Sequence, residues 1–181
     1  MVTPIKLKNL TKCPFQISTT SFNNNYPVFI GVEPVIFDIK DSNMSIKKSE
    51  TSNSKSKSDL KFDSNNSNNS NYLSESLENL AERASQKIHI DDFIYLSDKS
   101  VDFKINDETQ FFDENNNLIS SSDLPPNNYK IHLVLQLKSL AVDYYCLKYW
   151  WNIQVLQVKI LKRYKLPNIC LLENVILEDD Y

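Results

Sequence analysis

The chain has 181 residues, 41% hydrophobic and 24% charged, with a formal net charge of -3 at pH 7, and that length allows one folded domain. A single glycine excludes a Gly-rich phosphate loop, and three scattered cysteines with two histidines make neither a disulfide framework nor a metal-ligand spacing. No stretch reaches the roughly 18 uninterrupted apolar residues of a membrane span, and Met1 to Leu10 lacks a signal-peptide core, so a soluble intracellular protein is expected.

Charge is strongly segregated. Residues 1–72 carry nine lysines against six acids, whereas residues 73–128 carry four basic and twelve acidic groups. Between residues 129 and 165 stand Lys130, Lys138, Lys148, Lys159, Lys162, Arg163 and Lys165 against Asp143 alone, and the last sixteen residues carry only acids, Glu173, Glu178, Asp179 and Asp180. A basic segment in an acidic chain suits a polyanionic partner.

In chain order, Ile5 and Leu7 alternate with Lys6 and Lys8, and Phe15 and Ile17 with Gln16 and Ser18. These read as short strands separated by a break at Lys12, Cys13 and Pro14. Asn23 to Asn25 read as a loop, and Pro27 to Ile39 as two strand pieces with a bend near Gly31 and Pro34. Asp41 to Asn71 is dominated by Ser, Asn and Lys, too little apolar material to offset its ordering entropy, and is expected to be a disordered insertion. Its lysines Lys47, Lys48, Lys55 and Lys57 offer a secondary reading as a basic arm. The Asn runs and 18 Lys against 2 Arg are also what an AT-rich coding sequence produces.

Tyr72 to Lys87 predicts the one helix. Leu73, Leu77, Leu80, Ala81 and Ala84 make its apolar stripe, and Arg83 and Lys87 sit at its carboxyl end. Ile88 to Leu96 and Val101 to Ile105 read as strands, Phe111-Phe112 leads into a turn at Asp113 to Asn117, and Pro125-Pro126 marks a loop.

Tyr129 to Lys165 organises the rest. Tyr129, Ile131, Leu133, Leu135 and Leu137 alternate with polar residues, the pattern of a half-buried strand. From Tyr149 to Leu161 the apolar phase switches: Trp151, Ile153 and Val155 lie in one, Leu156, Val158 and Ile160 in the other, which predicts a bulge or sharp coil in a strongly curved hairpin. Tyr144 and Tyr145 fall near its tip, and neighbours on a strand point to opposite faces, so Trp150 and Trp151 cannot both enter the core.

No Ser, Cys or His has a recognisable nucleophile setting, and Asp91-Asp92 or Asp179-Asp180 on strands would diverge; no enzyme, catalytic residue, cofactor or metal site is expected. Single-strand binding needs cations along a groove and rings on which bases stack. The candidates are Lys130, Lys138, Tyr144, Tyr145, Lys148, Tyr149, Trp150, Trp151, Lys159, Lys162 and Arg163. The alternative is a non-enzymatic β-sandwich, a structural or interaction protein of a virion or assembly.

KNLTKCPFQIST, PVFIGVEPVIFDI, YKIHLVLQL and WWNIQVLQVKIL, followed by the acidic end, together resemble the framework of OB-fold single-stranded DNA-binding proteins of phages and large double-stranded DNA viruses. The resemblance covers roughly residues 5 to 40 and 129 to 181, with Trp151, Asn152, Ile153 and Gln157 matching the late strand. It implies a small OB-like β-barrel with one helix, coating unpaired DNA without sequence preference during replication or recombination of an AT-rich viral genome. It further implies a partner-binding tail at Glu178, Asp179, Asp180 and Tyr181 for replication proteins, a homodimer as one oligomeric option, no membrane partner, and a place at the site of DNA replication, in the host nucleus or a cytoplasmic viral factory.

Overall fold

The computed structural model describes residues 3–48, 58–62, 68–100, 102–123 and 129–163. Among these, eleven strands join in one mixed sheet: β1 (Ile5–Lys6), β2 (Gln16–Ile17), β3 (Asn25–Ile30), β4 (Glu33–Lys48), β5 (Ser58–Phe62), β6 (Ile94–Tyr95), β7 (Asp102–Lys104), β8 (Gln110–Phe112), β9 (Leu118–Ile119), β10 (Tyr129–Asp143) and β11 (Lys148–Arg163). One long helix, α1 (Asn68–Lys87), and a one-turn helix, α2 (Ser97–Ser100), complete it with short 3-10 turns.

The β10–β11 hairpin is the spine. Its strands pair antiparallel from Tyr129 opposite Arg163 to Asp143 opposite Lys148. β10 also pairs with β4 and, beyond Leu137, with β3. β4 pairs with β5, β5 with β7, and β7 runs parallel to β11, so five strands are linked pairwise in a circuit that returns to β10.

The alternation in β10 holds from Ile131 to Leu137. Ile131, Leu133, Leu135 and Leu137 are completely buried. The phase switch in β11 is a bulge: Val134 faces Gln157 and Leu135 faces Val155, leaving Leu156 without a register partner. An extra residue moves the inward set from Trp151, Ile153 and Val155 to Val158 and Ile160, all buried, while the strand bends.

Helix α1 closes the core with the expected stripe; Leu73, Leu77, Leu80, Ala81 and Ala84 are essentially without exposure. Trp151 is 1% exposed, donates its indole N–H to the Leu77 carbonyl at 2.9 Å, and meets the Phe15 ring edge-on at 6.4 Å. Arg83 and Lys87 do more than complement the helix dipole. They donate to the Thr11, Cys13 and Phe15 carbonyls at 2.7, 3.3 and 3.1 Å, and both cations lie over the Phe15 ring. The amino-terminal segment is thereby held to the helix.

Four expectations are corrected. The early strand, read from the alternation of Ile5 and Leu7 with Lys6 and Lys8 between Val2 and Leu10, stops at Lys6, and Leu7–Lys12 turns into a 3-10 helix whose period of three buries Leu7 and Leu10 on one side. The loop read at Asn23 to Asn25 is a two-residue hairpin turn with Asn23 and Asn24 left-handed, at φ 49° and 58°, and β3 begins at Asn25. Ile88 to Leu96 is mostly a helix-ending turn through His89, at φ 60°, with a strand only at Ile94–Tyr95. Most substantially, residues 41–71 were expected to be disordered, yet β4 continues to Lys48, β5 forms and α1 starts at Asn68.

A period of two hides among the Ser and Asn residues: the register sets Met44 opposite Phe62 and Ile46 opposite Leu60. Composition cannot reveal the β10 and β7 backbones that pair with these strands. Residues 49–57 and 63–67 lie outside the described residues, as does the acidic tail at 166–181.

Trp151→Ala should lower stability by about 3–5 kcal/mol, the cost of removing a fully packed aromatic, whereas Trp150→Ala should cost about 1 kcal/mol or less. Urea unfolding followed by far-ultraviolet circular dichroism checks this; equal costs would contradict the inward and outward assignment of the two indoles.

Candidate nucleic-acid interface

The alternation that buries Tyr149, Trp151 and Ile153 turns Lys148, Trp150 and Asn152 outward, each of them half-buried. The register sets Asp143 opposite Lys148, Ala141 opposite Trp150 and Ser139 opposite Asn152. A bulge between Leu137 and Ser139 leaves Lys138 without a partner and exposed. Further along this face, Lys130 stands opposite Lys162 and His132 opposite Lys159. Lys130 and Lys159 are half-buried, and Lys159 Nζ reaches Asn116 Oδ1 at 2.6 Å.

One acid in this face is internally compensated. Asp38, 5% exposed, accepts from Lys6 Nζ at 2.7 Å and lies 3.1 Å from His132 Nε2, both through Oδ2. Lys6 comes from β1, which runs parallel to β4 with Lys6 opposite Asp38. Asp38 Oδ1 has no hydrogen-bond partner among the described residues. With the Lys6 ammonium on it, Asp38 takes little from the positive potential of the neighbouring lysines.

At the hairpin tip, Asp143 Oδ1 accepts the Tyr145 and Cys146 backbone N–H groups at 3.0 Å each, which fixes the turn. Tyr145 is 97% and Tyr144 44% exposed. The Tyr144 hydroxyl bonds that of Tyr26, and its ring meets Phe93 edge-on at 5.8 Å. Leu147, also exposed, is left-handed at φ 52°, a conformation bulky residues seldom adopt. Phe22 and Ile94 are two further exposed apolar residues near this end: Phe22 pairs with Asn25, which faces Ala141, and the Ile94 amide bonds the Leu147 carbonyl.

A pocket of about 350 Å³ opens beside the tip, lined by Asn23, Asn24, Asn25, Ala141, Val142, Asp143, Trp150 and Asn152. The hairpin turn before β3 supplies one wall, and Asn24 is tied to β10 by the Val142 N–H donating to its carbonyl at 2.9 Å. Asn152 Nδ2 donates to Asn25 Oδ1 at 2.5 Å and to Ser139 Oγ at 3.2 Å.

Of the residues read from the sequence, Lys130, Lys138, Lys148, Trp150 and Lys159 share the hairpin's outer face, Lys148 and Trp150 near its tip and Lys130 and Lys159 towards its other end, with Tyr144 and Tyr145 at the tip. Tyr149 and Trp151 are a correction. Both are buried in the core, where a nucleic-acid strand on the surface cannot reach them, because they share the inward phase of β11. Burial is also the main reason the Tyr149 phenol is pushed up. The side chains of Lys162 and Arg163, and all of Glu178, Asp179, Asp180 and Tyr181, lie outside the described residues.

Lys6, Asn23, Asn24 and Asn25 were not singled out from the sequence. A run of three asparagines between Phe22 and Tyr26 is a hairpin-turn signal, since asparagine accepts the left-handed positions of such turns, and it would have found three of them. No protein-family model matches the chain, and no curated protein matches it in sequence.

The Tyr144 hydroxyl is pushed from 10.0 up to about 12, first by burial and then by its bond to Tyr26 and the charge of that neighbour. A raised phenol means the folded state holds this proton more tightly. The resulting stability is complete below about pH 10 and is lost as pH rises towards 12. In a tyrosinate absorbance titration one tyrosine should ionise near pH 12, and Tyr26→Phe should bring it down; a curve that Tyr26→Phe leaves unchanged would contradict the pairing.

Proposed function

We propose that this chain is a small OB-like β-barrel protein that coats single-stranded DNA, without strong sequence preference, during viral replication or recombination. The observation that carries the reading is the half-exposed Trp150 on the same outward face as Lys148, with Lys138, Lys130 and Lys159 farther along that face. Cations that track phosphates beside a ring that accepts a stacked base form a single-strand groove, each stacked base being worth about 1–3 kcal/mol. Tyr144 and Tyr145 extend the ring surface past the tip.

The pairing circuit supports the barrel. An OB-fold is a five-stranded, partly open barrel that reaches oligonucleotides through the connections between its first and second and its fourth and fifth strands. Taken in chain order, the circuit's strands are β4, β5, β7, β10 and β11. The fourth-to-fifth connection is then the segment from Tyr144 to Leu147, beside Trp150. The first-to-second connection, 49–57, lies outside the described residues.

In this reading the acidic tail recruits replication proteins and the protein carries out no reaction. The exposed Phe22, Ile94 and Leu147 favour a second reading, a non-enzymatic β-sandwich structural or interaction protein whose hairpin end packs on another subunit.

Trp150→Ala combined with Lys148→Ala should weaken oligo-dT binding by at least tenfold and make the dependence of log affinity on log salt shallower by about 0.7, the single-strand value for one phosphate contact. Fluorescence anisotropy over a salt series measures both. A folded double variant with unchanged affinity and slope would count against strand coating and favour the second reading.

A further inference from the structure

We infer that a single strand is held at the two ends of the hairpin's outer face. Trp150, Lys148 and Lys138 hold it at the tip, and Lys6, Lys130 and Lys159, gathered around Asp38, form a phosphate clamp at the far end. The inference rests on the single-strand reading above and gives it a second contact site and a length.

The clamp draws on three strands. Lys130 comes from β10 and Lys159 from β11, with His132 opposite Lys159. Lys6 joins them from β1 through Asp38, whose Oδ2 accepts Lys6 Nζ at 2.7 Å and lies 3.1 Å from His132 Nε2. The Asp38 side chain is 4% exposed and that of Lys6 54%, so the pair shows solvent its ammonium and keeps its carboxylate beneath. An ammonium has three donors. Lys6 uses one on Asp38, and Lys159 uses one on Asn116 Oδ1 at 2.6 Å, which leaves two on each for phosphate oxygens. Side chains tethered in this way lose less freedom when the anion arrives.

Between the two ends the outward residues of the hairpin are Val134, Gln136, Asn152, Leu156 and Gln157, and none of these carries a charge. Glu108 borders the same stretch, its Oε2 accepting Gln154 Nε2 at 2.9 Å, and a carboxylate there repels phosphate. From Trp150 to Lys159 the chain advances nine positions along β11, about 30 Å at ~3.3 Å per residue. Fields between exposed charges fade over ~10 Å at 0.1 M salt, so the ends act independently and only a strand that spans them meets both. At the ~3.4 Å rise of stacked bases the span takes about nine nucleotides, inside the ~4–16 that one such barrel occupies.

The test is fluorescence anisotropy with a labelled thymidine tetramer and dodecamer over a salt series upward from about 0.1 M. It uses the full chain and two variants. One combines Lys130→Gln with Lys159→Gln. The other combines Lys6→Met with Asp38→Asn, which removes the bridge and leaves the net charge unchanged.

The dodecamer should bind roughly threefold or more weaker in each variant. Its plot of log affinity against log salt should become shallower by about 1.4 for the lysine pair and about 0.7 for the bridge, at ~0.7 per phosphate contact. Tetramer affinity should change by less than about twofold, because the tetramer reaches the tip alone. A bridge that serves the fold alone leaves the slope in place.

A dodecamer unaffected by the lysine pair, or a tetramer weakened as much as the dodecamer, would overturn the two-ended site. Strand coating would still stand if Trp150→Ala with Lys148→Ala weakens the dodecamer. An unchanged slope in a folded bridge variant would overturn the part given to Lys6. A wild-type chain that binds neither oligonucleotide would overturn the strand-coating reading and this inference with it. Should the bridge variant fail to fold, the lysine pair decides.

Discussion

The indole N–H of Trp151 on the Leu77 carbonyl joins the two halves of the molecule. A carbonyl within a helix still has a second lone pair, and an indole buried without an acceptor would lose about 1–3 kcal/mol, so this bond sets both the rotation of α1 and the depth at which β11 lies beneath it. Phe15 against the same indole carries the constraint to the amino-terminal segment, which Arg83 and Lys87 then hold by its carbonyls. Helix, hairpin and chain start are fixed relative to one another around one side chain.

Everything on the outer face follows from that anchor. With Trp151 inward, strand geometry leaves Trp150 and Lys148 no choice but to face out, and the register with β10 decides what stands beside them. The bulge opposite Val134 and Leu135 lets β11 keep a buried face from Tyr149 to Ile160 while the strand bends. The bulge at Lys138 releases one more cation to solvent. Asp38, which would lower the potential of this face, is ion-paired where it sits with Lys6. Lysines and a half-exposed indole thereby stand on one face of the hairpin, although the chain as a whole is acidic.

Much of this was legible in the residues. The inward run from Ile131 to Leu137, the phase switch around Leu156, the stripe from Leu73 to Ala84 and the divergence of Trp150 from Trp151 are all periodicities, and periodicity survives in a single sequence. The disordered reading failed at residues 41–48, 58–62 and 68–71 for a different reason: Ser and Asn dilute the signal, and the partners that order β4 and β5 come from residues far along the chain. The early strand beyond Lys6 failed because a period of three and one of two cannot be separated over four residues. The pocket stayed hidden because Asn23 to Asn25 and Asn152 lie more than a hundred residues apart and meet only through the β3–β10 pairing.

The sorting of the two indoles is the most exposed part of the account, and fluorine nuclear magnetic resonance of protein labelled with 5-fluorotryptophan addresses it directly. Two resonances are expected, assigned with Trp150→Phe. Addition of oligo-dT should move the Trp150 signal and leave that of Trp151 in place. A Trp150 signal that stays fixed at saturating oligonucleotide, or a Trp151 signal that moves in its stead, would contradict the proposal that the outer face of the hairpin receives the strand.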